Sequence, residues 1–241
     1  MKRNPPSPKG ERDSNEPRQL LLDLPSEPRF LAEDFVVGPS NERAYAMIEA
    51  WPNWPGEALL LIGPRGSGKS HLGAIWASRA HAWTVRRAKL EDEAVERYMA
   101  ARALVIEDAH EPGDEAALFH LFNAAKRRGS HLLLTAVSEP TLWNIATPDL
   151  LSRLRLAPVV HIEEPDEDLL RVVIIKLFVD RQLVVDAGVV DAILTFGERS
   201  FEGARTAVEA LDRHSLAEKR RITRALVREV LHAKDEPPDE D

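Results

Sequence analysis

The sequence predicts an α/β protein in which a parallel sheet is flanked by helices and followed by a smaller, all-helical part. Short apolar runs of strand length alternate with helix-period patterns between residues 44 and 162. A glycine-rich turn joins the first of these runs to the helix that follows it. After Pro165 the strand pattern stops and only helical spacing continues. Because strands that alternate with helices require crossover connections, the sheet is expected to be parallel.

The composition is that of a cysteine-free globular protein. Hydrophobic residues make up 44% of the 241 residues, which is enough for a packed core. The absence of cysteine excludes disulfides and thiolate metal sites and is typical of a reducing compartment. Since no apolar run reaches bilayer length and the N-terminus lacks a secretory signal, we expect a cytoplasmic protein without membrane contact. The net charge of −8 argues against strong direct binding to nucleic acid, because domains that grip phosphates are usually basic.

Four strands are predicted from segments dominated by apolar residues. They cover residues 58–62, 103–106, 131–137 and 158–162. The run at 58–62 is continuous, as in a strand buried on both faces, and 103–106 is a second strand of this kind. Helices are predicted where apolar residues recur at spacings of three and four. The first helix, around Ala44 and Ile48, has Ser40 or Asn41 as its expected cap. Further helices are predicted after the glycine-rich turn and after the second strand. Four apolar stretches beyond Pro165 are each predicted to be a helix as well.

Composition divides the chain into four segments. Residues 1–29 are predicted to be a disordered arm, rich in proline and charge, with an apolar island at 19–24 that two prolines close. Residues 30–164 form the predicted α/β domain, and residues 165–232 the helical domain. Residues 233–241 are predicted to be an acidic, disordered tail.

A phosphate-binding loop is predicted at residues 63–70. The sequence Gly63-Pro64-Arg65-Gly66-Ser67-Gly68-Lys69-Ser70 matches the pattern G-x-x-x-x-G-K-[ST] in full. A buried strand precedes the loop, and the next helix directs free N–H groups and its positive dipole end at the phosphates. Lys69 is expected to reach the β- and γ-phosphates and the Ser70 hydroxyl to ligate Mg²⁺. The alternative, a chance glycine-rich turn, does not explain the flanking strand and helix.

An acidic strand end is the expected partner of this loop. The second predicted strand runs into Glu107 and Asp108. One of these carboxylates would hold Mg²⁺ through water, and the other would orient the attacking water. An acidic strand terminus that merely faces solvent is the alternative interpretation.

Two arginines are candidates for stabilising charge on the γ-phosphate, because a planar cation suits that role. Arg153 precedes the last predicted strand, and Arg199 lies in the helical domain. On sequence pattern alone, an ordinary surface position is equally compatible with each. His71 and His110 flank the two motifs without metal-ligand spacing, so structural or exposed roles are expected for their side chains.

Three motifs resemble the AAA+ module of the bacterial replication initiator DnaA. They are Phe35–Asn41, Gly68–Leu72 and Arg199–Ala204, and the similarity extends from about Phe30 to Leu231. The resemblance implies an AAA+ P-loop NTPase core with a small C-terminal all-α lid domain. It also implies ADP or ATP, together with Mg²⁺, as ligands.

The resemblance assigns further site residues. By similarity, the segment near Val37 lines the adenine pocket, Arg153 occupies the arginine-finger position and Arg199 the sensor 2 position. Glu107 and Asp108 join Arg153 as candidate catalytic residues, and Ser70, Glu107 and Asp108 are the candidate metal ligands. The candidate nucleotide-binding residues are Val37, Gly63, Arg65, Gly66, Ser67, Gly68, Lys69, Ser70, His71 and Arg199.

The apolar island is similar to a known docking peptide. Gln19-Leu20-Leu21-Leu22-Asp23-Leu24 resembles the Q-L-x-L-x-L peptide that binds the replicative sliding clamp, the β subunit of DNA polymerase. The implied clamp-binding residues are Gln19, Leu20, Leu22 and Leu24. DnaA has a long N-terminal region and continues into a helix-turn-helix domain, whereas this sequence starts with the arm and ends in the acidic tail. A clamp peptide joined to a DnaA-like module is the layout of the Hda-type regulatory inactivators of DnaA. A leucine-rich start of the folded core is the alternative.

The implied function is regulatory. Such a protein, together with the DNA-loaded clamp, completes the ATPase site of DnaA and triggers hydrolysis there, which limits re-initiation of chromosome replication. By the same resemblance, Glu107 stands where DnaA has its metal-binding aspartate. Val137 stands at the polar sensor 1 position, with Thr135 and Ser138 nearby. Both departures predict weak intrinsic hydrolysis and a protein that holds nucleotide, with ADP expected. DnaA and the clamp are the expected partners, and self-association is left open.

Two other classes of function are alternative interpretations of the sequence. One is a truncated DnaA-like initiator or a helicase-loader-type protein that acts directly on DNA, against which the acidic charge counts. The other is a small-molecule kinase, which would need an acceptor pocket and an arginine-rich lid.

Overall fold

The computed structural model describes residues 32–232, so the predicted arm, its apolar island and the acidic tail lie outside the described residues. The described part contains a single five-stranded sheet in which every pairing is parallel. The predicted α/β class is therefore confirmed. The strands are β1 (Ala58–Ile62), β2 (Trp83–Arg86), β3 (Ala103–Glu107), β4 (His131–Ala136) and β5 (Val159–His161).

The strand order is β2-β3-β4-β1-β5. Every residue of β1 is buried, as its continuous apolar run predicts, and it lies between β4 and β5. Ala58 pairs with Leu132 and Ile62 with Ala136, so β1 and β4 end level with one another. The loops that follow these strands therefore meet at one edge of the sheet.

The prediction of four strands was wrong by one, because β2 was missed. Of its four residues only Val85 is partly buried, and Trp83, Thr84 and Arg86 are exposed. β2 is an edge strand that pairs only with β3, in the register Trp83↔Leu104. An exposed edge strand gains its hydrogen bonds from its neighbour and needs no apolar run of its own.

Helices cover both faces of the sheet. The helices of this part are α1 (Glu42–Glu49), α2 (Lys69–Ala80), α3 (Val95–Tyr98), α4 (Glu115–Arg128) and α5 (Pro148–Leu156). On one face, α1 and α2 pack against Leu59 and Leu61 of β1. On the other face, α3, α4 and α5 pack against Leu60. Four short 3₁₀ helices complete the connections, at Ala32–Asp34, Arg87–Lys89, Asp92–Ala94 and Pro140–Leu142.

After β5 the described chain is entirely helical, as predicted. Its helices are α6 (Glu167–Asp180), α7 (Ala187–Phe196), α8 (Phe201–Glu218) and α9 (Arg224–His232). They share a separate apolar core built around Ile174, Phe178, Ile193, Val208 and Leu226. Within residues 32–232, no helix is long and apolar enough to cross a membrane.

A cluster of aromatic rings closes the end of the sheet at which β4 begins. The Trp54 ring stacks on Trp76 with a centroid distance of 5.0 Å, and His131 meets the edges of Trp51 and Trp54 at 5.8 Å. Burial lowers the pKa of the His131 imidazole, and the nearby Glu57 carboxylate opposes that shift. The folded protein therefore favours the neutral ring.

Protonation of His131 is expected to destabilise the fold. In the unfolded chain its pKa is about 6.5, and its folded pKa is lower, so the unfolded state binds the proton first as pH falls. Stability should be full above pH ~7 and decline as pH falls through the unfolded pKa toward the folded one. We expect His131→Phe to unfold with a shallower loss of melting temperature between pH ~7 and ~5 than the parent protein. Identical pH profiles in the two proteins would refute a role for this imidazole.

Candidate nucleotide-binding site

The glycine-rich loop joins β1 to α2 at the carboxyl edge of the sheet. Gly66 and Gly68 have φ angles of 70° and 95°, a region that other residues rarely adopt. A Cβ atom on Gly63 would lie 2.5 Å from the carbonyl oxygen of Ile162, so this position has no room for a side chain. The loop therefore brings its backbone amides round the start of α2, where the first N–H groups have no partner within the helix. This is the cradle that a phosphate group requires.

Lys69 lies inside this cradle. Its side chain is nearly buried, and Nζ donates hydrogen bonds to the carbonyl oxygens of Gly63 at 2.8 Å and Pro64 at 2.6 Å. Burial lowers the pKa of Lys69, the Asp108 carboxylate opposes this shift, and Arg65 adds to it. The loop thus holds a partly desolvated ammonium close enough to Asp108 to sense its charge.

The acidic strand end predicted from the sequence adjoins the loop. Glu107 is the last residue of β3 and is half-buried, and Asp108 follows with a φ angle of 52°. Ser70 lies in the first turn of α2 with an exposed side chain. Hydroxyl and carboxylate oxygens are the ligands that Mg²⁺ prefers, so these three residues fit the predicted metal site.

The residue of β4 that contacts the segment after Glu107 is Thr135. Val137, the residue expected at the sensor 1 position, lies two residues further along the chain. Thr135 is buried and accepts a hydrogen bond on Oγ1 from the backbone N–H of Asp108 at 3.2 Å. Its carbonyl oxygen accepts another from Ala109 at 2.8 Å. β4 ends at Ala136, one residue earlier than predicted, so Val137 lies beyond the strand. Sequence reasoning weighed Thr135 only as a neighbour of Val137 because the strand end was misplaced.

Asn41 organises the segment predicted to line the adenine pocket. It directly precedes α1, at the expected cap position, but its side chain does not form the expected capping hydrogen bond with the helix. Its Nδ2 atom donates to the Val36 carbonyl at 3.0 Å, and its Oδ1 atom accepts from the Gly38 amide at 2.9 Å. Val37 is thereby held in a fixed loop with its side chain 45% exposed.

Aromatic side chains lie between the Val37 segment and the glycine-rich loop. The sequence analysis did not predict their contacts. The Phe35 ring stacks on Tyr45 with centroids 5.7 Å apart and meets the edge of His71 at 5.2 Å. A Cβ atom on Gly68 would lie 3.5 Å from Phe35 and 3.6 Å from Phe201. The signal for Phe35 was its place in the Phe35–Asn41 motif. Phe201 belongs to the Arg199–Ala204 motif, but the sequence did not indicate its approach to Gly68, which depends on the tertiary fold.

The N-terminus of α8 contacts the glycine-rich loop. The Phe201 amide donates to the Gly66 carbonyl at 3.1 Å, and a Cβ atom on Gly66 would lie 3.0 Å from Ser200 and from Glu202. Arg199 stands one residue before this contact. Its guanidinium pairs with Glu167 of α6 at 3.3 Å and is 65% exposed. The structure therefore brings the Arg199 segment to the loop and the Arg199 side chain to α6.

Arg153 lies on α5, a helix before the last strand that was not among the predicted elements. Its guanidinium carbon lies 4.9 Å from the centre of the Phe119 ring of α4, a cation–π contact. No carboxylate among residues 32–232 pairs with it. Arg153 is therefore a half-exposed cation that packs on the Phe119 ring. Within residues 32–232 its charge has no ion-pair partner.

Glu115 of α4 fixes the start of the arginine-bearing helix. Its two carboxylate oxygens accept hydrogen bonds from the amides of Ala146 at 2.9 Å and Thr147 at 2.8 Å. The hydrogen bonds from Thr147 and Ala146 lower the pKa of the Glu115 carboxyl despite some desolvation. α5 is thus attached to α4 at both its first turn and Arg153. The predicted clamp-binding residues Gln19, Leu20, Leu22 and Leu24 lie outside the described residues.

The fold and the loop together define an AAA+ P-loop domain with a helical C-terminal part. Domain III of DnaA from Thermotoga maritima superposes with a TM-score of 0.74, covering 89% of this chain and all of that one at 20% identity. A DnaA bound to AMPPCP and single-stranded DNA gives a TM-score of 0.65 at 18% identity, covering 80% of this chain and 69% of that one. These likenesses establish the fold.

Sequence comparison also finds similarity to DnaA. DnaA of Thermomicrobium roseum is 28% identical over 241 aligned residues, covering 86% of this chain and 50% of that protein. The chain spans about half the length of this relative. It spans less than half the length of the DnaA proteins of Bacteroides thetaiotaomicron and Caulobacter vibrioides, which it also matches. No protein-family model matches the chain. The predicted resemblance to DnaA is thereby confirmed at the level of its AAA+ domain.

Proposed function

We propose that the chain binds an adenine nucleotide, ADP or ATP, together with Mg²⁺ in the loop between β1 and α2. The proposal is supported by the positive-φ glycines, the buried ammonium of Lys69 and the approach of Asp108 to it. A similar DnaA is described as bound to AMPPCP, an ATP analogue. The triphosphate or diphosphate would occupy the cradle, and the base would face the segment around Val37.

Each part of the site has a task in this proposal. Lys69 would exchange its two carbonyl partners for phosphate oxygens, and the amides of the loop would face the same anion. Ser70, Glu107 and Asp108 would hold Mg²⁺, which neutralises phosphate charge when bound. Thr135 would keep Asp108 in place through its backbone. The α8 terminus, already in contact with Gly66, would report the state of the loop to the helical part.

We further propose that the protein regulates DnaA by promoting hydrolysis of DnaA-bound ATP, and so limits initiation of chromosome replication. The observation that carries this proposal is Arg153, a half-exposed cation on α5 held against Phe119 without a carboxylate partner in the described chain. A planar cation presented in this way suits the γ-phosphate of a neighbouring subunit, where it stabilises developing negative charge. Arg199 would bind the nucleotide in its own subunit after leaving Glu167.

The deciding experiment measures ATP hydrolysis by DnaA in the presence of this protein and of sliding clamp loaded on DNA. Radiolabelled ATP is bound to DnaA first, so that turnover reports only the DnaA site. We expect hydrolysis to accelerate when protein and loaded clamp are both present. No acceleration under these conditions would remove the regulatory proposal and leave nucleotide binding to be judged by itself.

Clamp binding is expected to depend on the island at residues 19–24. Gln19 would hydrogen-bond at the rim of the clamp pocket while Leu22 and Leu24 bury apolar surface in it, an anchor-type contact. We expect Gln19→Ala combined with Leu22→Ala to abolish co-elution with the clamp and to leave the melting temperature unchanged. Co-elution on gel filtration and thermal unfolding provide the two measurements.

The two readouts separate the alternatives for this island. Persistent clamp binding by the double variant would show that the docking element lies elsewhere. A lower melting temperature would show instead that the leucines belong to the folded core. Asp23→Asn, in the same island, serves as a control that should retain clamp binding.

A second candidate is an initiator or helicase-loader type of protein that binds DNA directly. The observation in its favour is that the DnaA relatives are replication initiators and one similar DnaA is described with single-stranded DNA. The net charge of −8 opposes this candidate. A gel shift with single- and double-stranded DNA, repeated across salt concentrations, distinguishes the two. Tight binding that weakens steeply with salt favours the DNA-binding candidate.

A further inference from the structure

Three aliphatic side chains form an exposed stripe along α6. Val172, Ile175 and Val179 are 51%, 47% and 64% exposed. Their spacing of three and four residues places them on one side of the helix. Leu170 and Ile174 of the same helix point the other way, into the core of the helical part. Adjacent exposed aliphatic residues offer a surface on which an apolar segment can pack and lose contact with water.

The described chain begins beside this stripe. Asp34 forms an ion pair with Lys176 of α6, with 2.7 Å between Oδ1 and Nζ. Lys176 lies four residues after Val172 and three before Val179, so it borders the stripe. Its ammonium also pairs with Asp180 at 2.8 Å, which holds the anchor in place on α6. Asp34, near the start of the described chain, is therefore held at the edge of the stripe.

The preceding sequence contains an apolar segment of suitable length. Leu20, Leu21, Leu22 and Leu24 stand within five residues. Asp34 lies ten positions after Leu24, and ten residue steps reach up to ~33 Å. Fully extended, Leu20 to Leu24 spans ~13 Å. Val172 and Val179 are ~10 Å apart along the helix axis.

We propose that the segment Leu20–Leu24 docks on the α6 stripe of its own chain, in competition with the sliding clamp. A short tether gives the segment an effective concentration of the order of 1 mM at the stripe, so a weak contact is sufficient. The clamp and the stripe use the same leucines, so each excludes the other. The competition rests on the clamp-binding role proposed above, whereas the contact between segment and stripe does not.

The contact is tested by cross-linking, for which the absence of cysteine in the chain is an advantage. The variant Leu22→Cys with Ile175→Cys is oxidised at low protein concentration, and formation of the intramolecular disulfide is followed by loss of free thiol. The matched control adds Leu20→Ser and Leu24→Ser to the same cysteine pair. Both proteins have the same tether, so loop-closure entropy is equal in the two.

We expect the disulfide to form about tenfold faster in the parent pair than in the control, which corresponds to ~1.4 kcal/mol of contact. Equal rates would overturn the proposal, because the tether alone would then account for the reaction. Disulfides that form mainly between molecules, at a rate that rises with protein concentration, would also overturn it in favour of a second copy as the occupant.

The competition is tested through clamp affinity. Ile175→Asp should strengthen binding of the full chain to the clamp at least threefold, toward the affinity of a synthetic peptide of residues 1–31. Leu216→Asp, at an exposed leucine of α8, is the control and should change nothing. Unchanged affinity in Ile175→Asp would overturn the competition. A fast cross-link combined with clamp binding that survives Gln19→Ala and Leu22→Ala would support docking and refute the clamp peptide.

Discussion

Replacement of Lys69 by alanine is expected to weaken ADP binding at least about tenfold, or ~1.4 kcal/mol. The ammonium is partly desolvated and already donates two hydrogen bonds, to the carbonyl oxygens of Gly63 and Pro64. Phosphate oxygens would replace these carbonyls as charged acceptors, which form stronger bonds. Titration calorimetry with ADP and Mg²⁺ gives the affinity of each protein directly.

A control separates lost binding from a damaged loop. Lys126→Ala removes the same charge from an exposed position on α4 and should bind ADP as the parent does. The melting temperature of Lys69→Ala without nucleotide reports whether the loop still folds. Equal ADP affinity in Lys69→Ala and the parent would remove the phosphate-binding loop from the functional argument.

The centre of the fold was predictable because burial leaves a clear pattern in the sequence. β1, β3 and β4 each contain an unbroken run of at least three apolar residues, since helices cover both faces of the sheet at these strands. β2 carries no such run, because it lies at the exposed edge and only Val85 packs against the core. The helical form of α5 had a local signal that was overlooked. Thr147 and Pro148 stand at its start, and proline is favoured in the first turn of a helix.

The site was predictable where its residues adjoin one another in sequence and not where distant segments meet. Residues 63–70 follow β1, and Glu107 ends β3 directly before Asp108, so their common edge of the sheet could be inferred. The contact of Phe201 with Gly66 joins segments 135 positions apart and has no local pattern. Similarly, the pairing of Arg199 with Glu167 depends on how α6 and α8 pack. Side-chain partners of this kind follow from tertiary packing alone.

The resemblance to DnaA implies both a type of domain and the roles of individual residues. Similarity in sequence and fold confirms the AAA+ domain, and the geometry of the loop agrees with it. The finger role of Arg153, the sensor role of Arg199 and the clamp peptide stay predictions. Of these, the role of Arg153 gives the largest expected effect.

Replacement of Arg153 by alanine is expected to abolish stimulation of ATP hydrolysis on DnaA while ADP and clamp binding persist. Arginine fingers contribute about a thousandfold or more to phosphoryl transfer, so the loss should be visible in a single-turnover assay. Because the guanidinium would act on the nucleotide of a neighbouring subunit, its removal leaves this protein's own site intact. Loss of the contact with the Phe119 ring at 4.9 Å should cost little stability, as cation–π pairs near the surface contribute about 0.5–1 kcal/mol.

Arg155 provides the matched control for this prediction. It carries the same charge on the same helix, and a separation of two residues turns it to the opposite side of α5 from Arg153. Its side chain is exposed, whereas Arg153 is held on Phe119. Arg155→Ala should therefore stimulate hydrolysis normally under conditions in which Arg153→Ala fails. The reverse result would move the finger by two positions, and normal stimulation by both variants would rule out a finger on α5. Arg153→Lys is informative as well, because an ammonium keeps the charge but lacks the planar fork, so only partial stimulation is expected.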